Sequence, residues 1–406
     1  MSRQSAPIVL DPAAGDADAE NRLLRAQGPA ARVDVLGVPA WSVTDPVLLK
    51  ELLTSPDVSK DGRRHWPGFD EAVRTWPLAL WVAATNMFTA YGGDHRRLRR
   101  IIAPAFSARR IAALQPVVEE IASRLADGLE SVPAGAGTDL RERYAVPLPI
   151  AVIGHLMGVP DGRRDEFRTL VDRVFDTTVT PGEAAANTRT LYAMLDGLIA
   201  AKRAAPGDDL ASALITSAEE GGEAALTEEE LRDTFLLMIN AGYETTVNLL
   251  DQAVTTLLSR PEQLAHVHAG RATWADVVEE TLRHEPPVKH LPLRFAVRDI
   301  PLPDGRVILE GEAILASYAA ANRHPDWHGA PDDFDVTRLT KDHLAFGHGI
   351  HFCLGAALAR MEGETALRVL FDRFPDVELG VEPNDLRPVP SLISNGHRSL
   401  PVRLRP

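Results

Sequence analysis

The sequence of 406 residues predicts a mainly α protein, with a large helical body and a smaller β-containing region. Apolar residues recur at three- and four-residue spacing over four long stretches, which is the period of an amphipathic helix. Strand signals are short and lie near the start of the chain and in its last third. No linker-like tract, low-complexity run or internal repeat interrupts the chain. We therefore expect one domain over residues 1–406, in which residues 1–22 form an N-terminal extension.

The predicted elements begin with two short strands, at residues 32–35 and 40–43, on either side of Gly37. Four helical stretches follow, at residues 111–129, 183–203, 227–259 and 274–284. The third stretch is unusually long and opens with Thr227 and Glu230, the spacing of a capping box. Its middle is nearly all apolar, so we expect this helix to cross the protein interior.

A second β region is predicted towards the end of the chain. Strands at residues 293–297, 307–309 and 313–317 are separated by Pro-Asp-Gly and Glu-Gly turns. A last hairpin is predicted between residues 391–394 and 399–404, because an Asn-Gly pair lies between them.

The composition excludes several classes of protein. A count of 43 basic and 57 acidic residues gives a net charge of −14, which argues against nucleic-acid binding. The only cysteine, Cys353, excludes an intramolecular disulfide, a multi-cysteine zinc site and an all-cysteine iron–sulfur cluster. Residues 1–20 lack the pattern of a signal peptide. The densest apolar stretch, residues 78–84, is far shorter than the roughly 20 residues that span a membrane. We therefore predict a soluble cytoplasmic protein without membrane association.

The lone cysteine lies in a glycine-rich loop that leads into a predicted helix. Residues 346–355 read Phe-Gly-His-Gly-Ile-His-Phe-Cys-Leu-Gly, and residues 356–362 are good helix formers. Backbone amides and the positive end of a helix dipole favour the thiolate form of Cys353, which could be a nucleophile or a metal ligand. A buried, inert cysteine is the alternative. A zinc site of His348, His351 and Cys353 matches no common zinc spacing.

The long helix contains the segment Ala-Gly-Tyr-Glu-Thr-Thr at residues 241–246. Gly242 opens room on one face of the helix. Thr245 can hydrogen-bond to the carbonyl of Ala241, which bends a helix and turns the hydroxyl towards a cavity. A buried acid such as Glu244 is costly unless it is used. The alternative interpretation is that the glycine and threonines are only packing compromises.

Two charged segments also stand out. Residues 95–110 contain six arginines and no acid, so we expect an anion nearby, either as ligand or as partner. His95 and Arg99 are one helical turn apart and share a face. Glu280 and Arg283 lie three apart on a predicted helix, which taken alone indicates a surface ion pair of little energetic value.

Together these segments resemble the cytochrome P-450 family. Residues 346–355 match its Phe-Gly-x-Gly-x-His/Arg-x-Cys-x-Gly pattern at every position, and residues 241–246 look like its oxygen-activation motif, with Tyr243 in place of the commonest histidine. Residues 280–283 match its Glu-x-x-Arg motif. The resemblance covers residues 23–401 and is closest to soluble actinomycete members. It implies the fold of that family around a buried haem b, iron protoporphyrin IX.

The resemblance also implies roles for individual residues. Cys353 is the axial thiolate ligand of the haem iron, and a thiolate ligand favours O–O cleavage. Thr245 and Glu244 support proton delivery. Glu280, Arg283 and Arg338 form a structural cluster. The expected contacts with the haem are His95, Arg99, Arg294, His351, Phe346, Gly347, Gly355, Ala241 and Gly242.

The implied activity is that of a monooxygenase that inserts oxygen into an apolar organic molecule, such as a macrolide, another polyketide or a steroid-like compound. The residues expected at the substrate pocket are Trp76, Leu80, Trp81, Met87, Phe88, Phe175, Thr178, Val179, Val288, Leu291, Leu392 and Ile393. Together they indicate an apolar substrate.

Partners are predicted from what the chain does not contain. The chain shows no Rossmann glycine fingerprint and no cluster-binding cysteines, so we expect no fused reductase domain. We expect the electrons to come from a separate ferredoxin and its ferredoxin reductase. The five other arginines of residues 95–110 form either a docking surface for an acidic donor or a solvated helix face; they are Arg96, Arg97, Arg100, Arg109 and Arg110. We expect a monomer. Two alternatives stay open, namely a peroxide-driven peroxygenase, against which the Glu244–Thr245 pair argues, and a non-catalytic haem-binding sensor or ligand-binding protein.

Overall fold

Helices make up most of the protein, as the periodicity predicts. The structure is a computed structural model and describes residues 6–13, 15–220 and 225–405. The shorter helices of the first half are α1 (Ala17–Arg25), α2 (Pro46–Thr54), α3 (Gly62–His65), α4 (Phe69–Thr75), α5 (Leu80–Ala83) and α6 (Gly92–Ile102). The others are α7 (Ala108–Leu129), α8 (Pro147–Met157), α9 (Arg164–Phe175), α10 (Pro181–Ala204), α11 (Leu210–Glu220), α12 (Glu228–Ser259), α13 (Pro261–His268), α14 (Trp274–His284), α15 (Tyr318–Asn322) and α16 (Ala356–Arg373). None of the described helices is both long and apolar enough to cross a bilayer.

The four predicted helical stretches correspond to α7, α10, α12 and α14, with ends within three residues of those predicted. The capping box of α12 is confirmed, because the Thr227 hydroxyl accepts from the Glu230 N–H while the Glu230 carboxylate accepts from the Thr227 N–H. Most side chains of α12 are buried, and the helix packs against α8, α14 and α16. The longest helix therefore passes through the interior, as its apolar middle predicts.

The two β regions of the sequence join in one sheet. Its strands are β1 (Ile8–Val9), β2 (Ala30–Val35), β3 (Val38–Val43), β4 (Val58–Ser59), β6 (His290–Ala296) and β9 (Ala313–Ser317). Their order is β1-β2-β3-β9-β6-β4, in which β3 and β9 are parallel. Smaller sheets are formed by β5 (Gly137–Asp139), β10 (Glu378–Leu379) and β11 (Pro401–Arg403), and by β7 (Ile300–Pro301) and β8 (Val307–Ile308). Because β3 and β9 are separated by most of the chain, their pairing is not visible in local sequence patterns.

The predicted C-terminal hairpin is wrong. Residues 391–394 do not pair with residues 399–404, since β11 lies between β5 and β10 instead. The Ser391 hydroxyl accepts from the N–H groups of Ile393 and Ser394, which curls this segment into a turn. The local side-chain bonds of Ser391 thus compete with a strand ladder.

The predicted N-terminal extension packs against the body over its described residues. Strand β1 pairs with β2, and the side chain of Leu10 is fully buried. Asp18 forms an ion pair with Arg323 at 2.6 Å, and Glu20 lies 3.3 Å from the ring of His290. These contacts tie the first helix to β6 and to the segment after α15.

A buried ion cluster joins α14 to the segment that precedes the cysteine loop. Arg283 and Glu280 form a bidentate pair, at 2.7 and 2.8 Å, and both side chains are fully buried. Arg283 also donates to the carbonyls of Pro331 and Asp333, and Arg338 approaches Glu280 to 3.4 Å. The structure therefore brings together Glu280, Arg283 and Arg338, for which a structural role was predicted. Their spacing alone suggested a surface ion pair between Glu280 and Arg283, but the pair is buried.

Candidate active site

The cysteine loop takes its shape from two glycines with left-handed backbones. Gly347 and Gly349 have φ angles of 70° and 71°, a region that favours glycine. A Cβ atom on Gly349 would lie 2.7 Å from the carbonyl oxygen of Leu53, so a side chain is also excluded by contact. The Cys353 N–H donates to the Phe346 carbonyl at 2.9 Å, which closes the loop just before α16.

Opposing effects act on the charge of Cys353. Burial raises the pKa of its thiol, opposed by a hydrogen bond from the Gly355 N–H and by the charges of Arg99 and Arg360. The cost of removing a thiolate from water opposes the stabilisation that backbone amides and the helix dipole provide. A metal cation bound at the sulfur would lower this pKa and favour the thiolate.

Arg360, Glu279 and His343 support the cysteine loop at Phe346. The guanidinium of Arg360 lies 4.6 Å from the centre of the Phe346 ring. Glu279 accepts hydrogen bonds from Arg360 and from His343, the latter at 3.2 Å. Burial alone would raise the pKa of Glu279, but these two partners lower it to about 2, so the carboxylate stays ionised and keeps Arg360 in place. The arrangement fixes the Phe346 ring and places a positive charge near Cys353.

An apolar cavity of about 130 Å³ lies beside the middle of α12. Ala241 and Thr245 line it, and both are accessible although most of the helix is buried. The Thr245 hydroxyl donates to the Ala241 carbonyl at 2.7 Å, which confirms the predicted bond back along the helix. Six of the predicted pocket residues line the same cavity, namely Leu80, Trp81, Phe88, Phe175, Val288 and Leu291.

The other six predicted pocket residues do not line this cavity; they are Trp76, Met87, Thr178, Val179, Leu392 and Ile393. Trp76 is buried, and its indole N–H donates to the Val35 carbonyl at 2.9 Å. Thr178 is exposed and bonds to Asp176. Leu392 and Ile393 belong to the main hydrophobic core. An apolar side chain can line a pocket or belong to the hydrophobic core, and only the packing of the folded chain decides between these two positions.

Sequence reasoning missed seven residues of the cavity wall, namely Ala84, Asn86, Thr89, Val174, Leu236, Leu237 and Asn240. Three of these belong to α12 and precede Thr245 by five, eight and nine positions, namely Asn240, Leu237 and Leu236. Leu237 lies four positions before Ala241, which also lines the cavity, so helical periodicity gave a signal for it. Leu236 and Asn240 do not follow this spacing, and the periodicity gave no signal for them.

Glu244 lies on a different face of α12 from Thr245. Its carboxylate accepts from the Asn248 amide at 2.9 Å, lies 3.8 Å from the Arg141 guanidinium, and is buried. Burial raises the pKa of Glu244, against the opposing charge of Arg141. Arg141 in turn pairs with the buried Asp251 at 2.7 Å. The structure therefore places the acid in a polar network behind the helix, away from the cavity wall.

Gly242, for which a contact with the cofactor is predicted, lies against a neighbouring helix. A Cβ atom at this position would lie 2.8 Å from Cδ1 of Ile153 on α8. The glycine allows α12 and α8 to approach closely, while Ala241, one residue earlier, lines the cavity.

Four basic side chains that were predicted to contact a cofactor come from different elements: His95 and Arg99 from α6, Arg294 from β6 and His351 from the cysteine loop. We call these four residues the basic cradle. The rings of His95 and His351 lie 4.2 Å apart. His95 is only 2% exposed, and neither of its ring nitrogens has a hydrogen-bond partner among the described residues. Burial, with the charges of Arg99 and Arg96, lowers the pKa of His95 to about 4.

The basic cradle fits a group that carries carboxylates. Arg294 is 4% exposed, and its Nη1 atom also lacks a partner among the described residues. Buried cations and buried donors without partners are costly, so an anion fits here. No described cluster of three or more His, Cys, Asp or Glu side chains could hold a metal ion, whereas Cys353 offers one sulfur ligand next to this anion site. A sulfur donor beside a carboxylate site fits an iron porphyrin, which needs few protein ligands and carries two propionates.

The comparisons with known proteins agree with this donor set. The family model described as Cytochrome P450 matches residues 274–393. A 2-hydroxy-5-methyl-1-naphthoate 7-hydroxylase of Streptomyces carzinostaticus is 40% identical over 403 residues, which cover 98% of each chain. A 6-deoxyerythronolide B hydroxylase of Saccharopolyspora erythraea is 37% identical over 395 residues, or 94% of each chain. The solved structure of CYP154A1 from Streptomyces coelicolor A3(2) is 67% identical, covers 98% of this chain and 100% of that one, and superposes with a TM-score of 0.95.

Proposed function

The chain belongs to the cytochrome P450 family, and we propose that it is a haem-thiolate monooxygenase that inserts one oxygen atom from O2 into an apolar organic molecule. The observation that carries this proposal is the position of Cys353. It follows His351 by two residues, and the ring of His351 lies against His95, whose nitrogens have no described partner. A single group that carries both a metal ion and carboxylates would therefore provide a partner for the Cys353 sulfur and for the His95 ring nitrogens.

We propose haem b as that group. Cys353 would be its axial ligand, and the four residues of the basic cradle would bind its propionates. When bound, haem supplies the activation of dioxygen with two electrons from outside the chain. The chain's own contribution is to orient the substrate, to exclude water and to supply protons.

The substrate is proposed to be apolar and of the macrolide, other polyketide or steroid-like type. The cavity wall is built almost entirely from aliphatic and aromatic side chains, with Asn86, Thr89, Asn240 and Thr245 as its polar members. The names of two relatives describe hydroxylation of a substituted naphthoate and of 6-deoxyerythronolide B, respectively. Few polar groups in an apolar wall are typical of sites that bind such molecules and orient them through a small number of hydrogen bonds.

Thr245 is proposed to present protons to the cavity. Its hydroxyl lies at the cavity wall and donates to the Ala241 carbonyl, a bond that it can exchange for one to a bound molecule or water. Glu244 is proposed to support this step from behind the helix. Because its raised pKa makes its carboxyl easier to protonate than that of an exposed glutamate, it can hold a proton within the buried network.

Replacing Thr245 with alanine is expected to uncouple O2 consumption from product formation. We expect product per O2 consumed to fall by on the order of 10- to 100-fold, since a positioned proton donor is lost. The measurement is O2 uptake and product yield with a ferredoxin, its reductase and a nicotinamide reductant, using a substrate found by its effect on the spin state. Thr245→Ser keeps the hydroxyl and should keep most of the coupling. Unchanged coupling in Thr245→Ala would show that the threonine has no such role.

The same assay separates this proposal from a peroxygenase. A monooxygenase turns over faster with the redox partners and O2 than with hydrogen peroxide alone. If peroxide alone supports the faster turnover in the unchanged protein, the peroxygenase alternative is correct.

A ferredoxin is proposed to dock on one exposed basic surface, which we define as Arg96, Arg100, Arg109, Arg110, Ile350 and Phe352. The four arginines are exposed and form no described ion pair, and the two apolar side chains of the cysteine loop are 53% and 41% exposed. Arg96, Arg100 and Ile350 border the same surface hollow. Arg97 does not belong to this surface, because it is bound to Glu230 and to the Ala225 carbonyl. Positive charge around exposed apolar groups next to Cys353 suits an acidic electron donor.

Reversing the charge of Arg100 is expected to slow reduction by ferredoxin. We expect the second-order rate constant of Arg100→Glu to fall by about 10-fold at low ionic strength, and the difference to shrink as salt screens it. Stopped-flow absorbance at the Soret band measures this rate. Arg189→Glu on α10, also at an exposed arginine, is the matched control and should react at the unchanged rate. Equal rates for the two variants would exclude Arg100 from the docking surface.

A further inference from the structure

Lys60 lies near Arg294 at the edge of the large sheet. Strand β4 pairs antiparallel with β6, with Val58 opposite Ala296 and Ser59 opposite Phe295. Lys60 directly follows β4, so continuing this register by one residue brings it towards Arg294, whose charge acts on the Lys60 ammonium. Side chains opposite one another in an antiparallel pair share a face, with Cβ atoms about 5 Å apart. Both residues are buried, at 2% and 4% exposure.

Two buried cations in this relation are unfavourable without an anion. Like charges directly opposite in a sheet repel, and each buried charge has lost its hydration. Among the described residues, no carboxylate forms an ion pair with either side chain. The Lys60 ammonium donates to the Pro292 carbonyl at 3.0 Å, which leaves two of its donors unused. Burial, reinforced by the charge of Arg294, holds the pKa of Lys60 well below its usual value.

The position of Lys60 connects the basic cradle with the substrate cavity. Arg294 belongs to the cradle, and its Nη1 atom has no described partner. The Lys60 ammonium lies 3.6 Å from the centre of the Phe88 ring, and Phe88 lines the cavity. No lysine is among the residues that the sequence predicts to contact the haem. Its place was decided by the pairing of β4 with β6, which are separated by about 230 residues.

We propose that Lys60 and Arg294 together bind a carboxylate at the boundary between the basic cradle and the apolar cavity. The carboxylate accepts from the two unused donors of Lys60 and from the guanidinium of Arg294, and its charge offsets the repulsion between them. Two molecules can supply this group, a haem propionate or the carboxylate of an acidic substrate. The inference rests on the proposed haem site and adds to it a cofactor- or substrate-positioning residue.

The first arm of the test measures haem retention and requires no turnover. We expect Lys60→Met to transfer its haem to excess apomyoglobin at least 10-fold faster than the unchanged protein if the carboxylate is a propionate. The difference should disappear when both proteins are loaded with the dimethyl ester of the same haem. Lys60→Arg keeps the charge and should retain haem. Lys50→Met is the matched control, because the Lys50 ammonium also lies over an aromatic ring, 4.5 Å from the centre of that of Trp327.

The second arm measures ligand binding by the spin-state change of the Soret band, with 4-phenylbutyrate and its methyl ester as probes. If the carboxylate belongs to the substrate, Lys60→Met keeps its haem, its Kd for the acid rises at least 10-fold, and its Kd for the ester does not change. If Lys60→Met matches the unchanged protein in haem transfer and in its response to the acid, the proposal is wrong.

A third measurement distinguishes a binding role from a merely structural one. The far-UV circular dichroism spectrum of haem-bound Lys60→Met should match that of the haem-bound unchanged protein, because the loss of a carboxylate ligand leaves the helices intact. A residue needed only for packing would change this spectrum together with haem retention, and that result would overturn the proposal. The absence of a thiolate signature from the unchanged protein would contradict the proposed function, while the haem-transfer comparison would still decide the role of Lys60.

Discussion

Replacing Cys353 with alanine is expected to abolish the red-shifted Soret band of the reduced, carbon monoxide-bound protein and to reduce monooxygenase activity to background. Cys353 is the only cysteine of the chain, so no second thiol can provide a sulfur ligand. The red-shifted band arises from thiolate ligation, and the same thiolate favours O–O cleavage. The measurement is the difference spectrum with carbon monoxide, recorded beside a determination of total haem.

Stability measurements show whether this loss is local. The Cys353 backbone N–H, which closes the loop through the Phe346 carbonyl, is retained in the alanine variant. We therefore expect the haem-free Cys353→Ala protein to melt close to the unchanged protein. Cys353→Ser offers an oxygen in place of sulfur and should also lack the band. A band that persists in Cys353→Ala would refute thiolate ligation, and with it the proposed function.

Replacing Arg283 with alanine is expected to cost about 3–5 kcal/mol of unfolding free energy, since it leaves the Glu280 carboxylate buried without its partner. Arg283 also donates to the carbonyls of Pro331 and Asp333, which would lose these bonds. Because this segment leads to the cysteine loop, we also expect faster haem loss. Equilibrium unfolding in urea and haem transfer to apomyoglobin are the measurements.

The chain offers a matched control for this prediction. Arg74 and Glu71 form an ion pair with the same three-residue spacing and the same 2.7 Å distance, but on the surface of α4. Arg74→Ala should therefore leave unfolding and haem retention unchanged within error, because exposed pairs contribute little. Arg283→Lys keeps the charge but cannot form the bidentate bond, and should fall between the two. If Arg283→Ala were as stable as Arg74→Ala, burial would not explain the contribution of the Arg283–Glu280 pair to the unfolding free energy.

The helices and the cysteine loop were predictable because their signals are local. The bounds of α14, predicted at residues 274–284 from apolar spacing alone, are confirmed, and so is the capping box of α12. The loop around Cys353 needs glycine at two left-handed positions, and these glycines are visible in the sequence. In contrast, the predicted hairpin at residues 391–404 failed because Ser391 forms its own short-range bonds and β11 finds partners elsewhere.

The site was only partly predictable for the same physical reason. Thr245 and Glu244 are adjacent in sequence, but successive residues of a helix point about 100° apart, so one lines the cavity and the other lies in a buried network with Arg141. Arg97 is as basic as its neighbours, yet its ion pair with Glu230 of another helix separates it from the proposed docking surface.

The sequence by itself determined the chemistry of this protein: a single sulfur ligand in a glycine-shaped loop, a hydroxyl on a long buried helix and a set of basic residues for an anion. The cysteine loop and the threonine motif each depend on residues within one short segment, where backbone geometry and capping decide the outcome. The basic residues come from α6, β6 and the cysteine loop, so only the fold brings them together. The tertiary structure decided how these parts meet. Only the pairing of β4 with β6 places Lys60 near Arg294, because a contact between distant segments depends on how the whole chain packs.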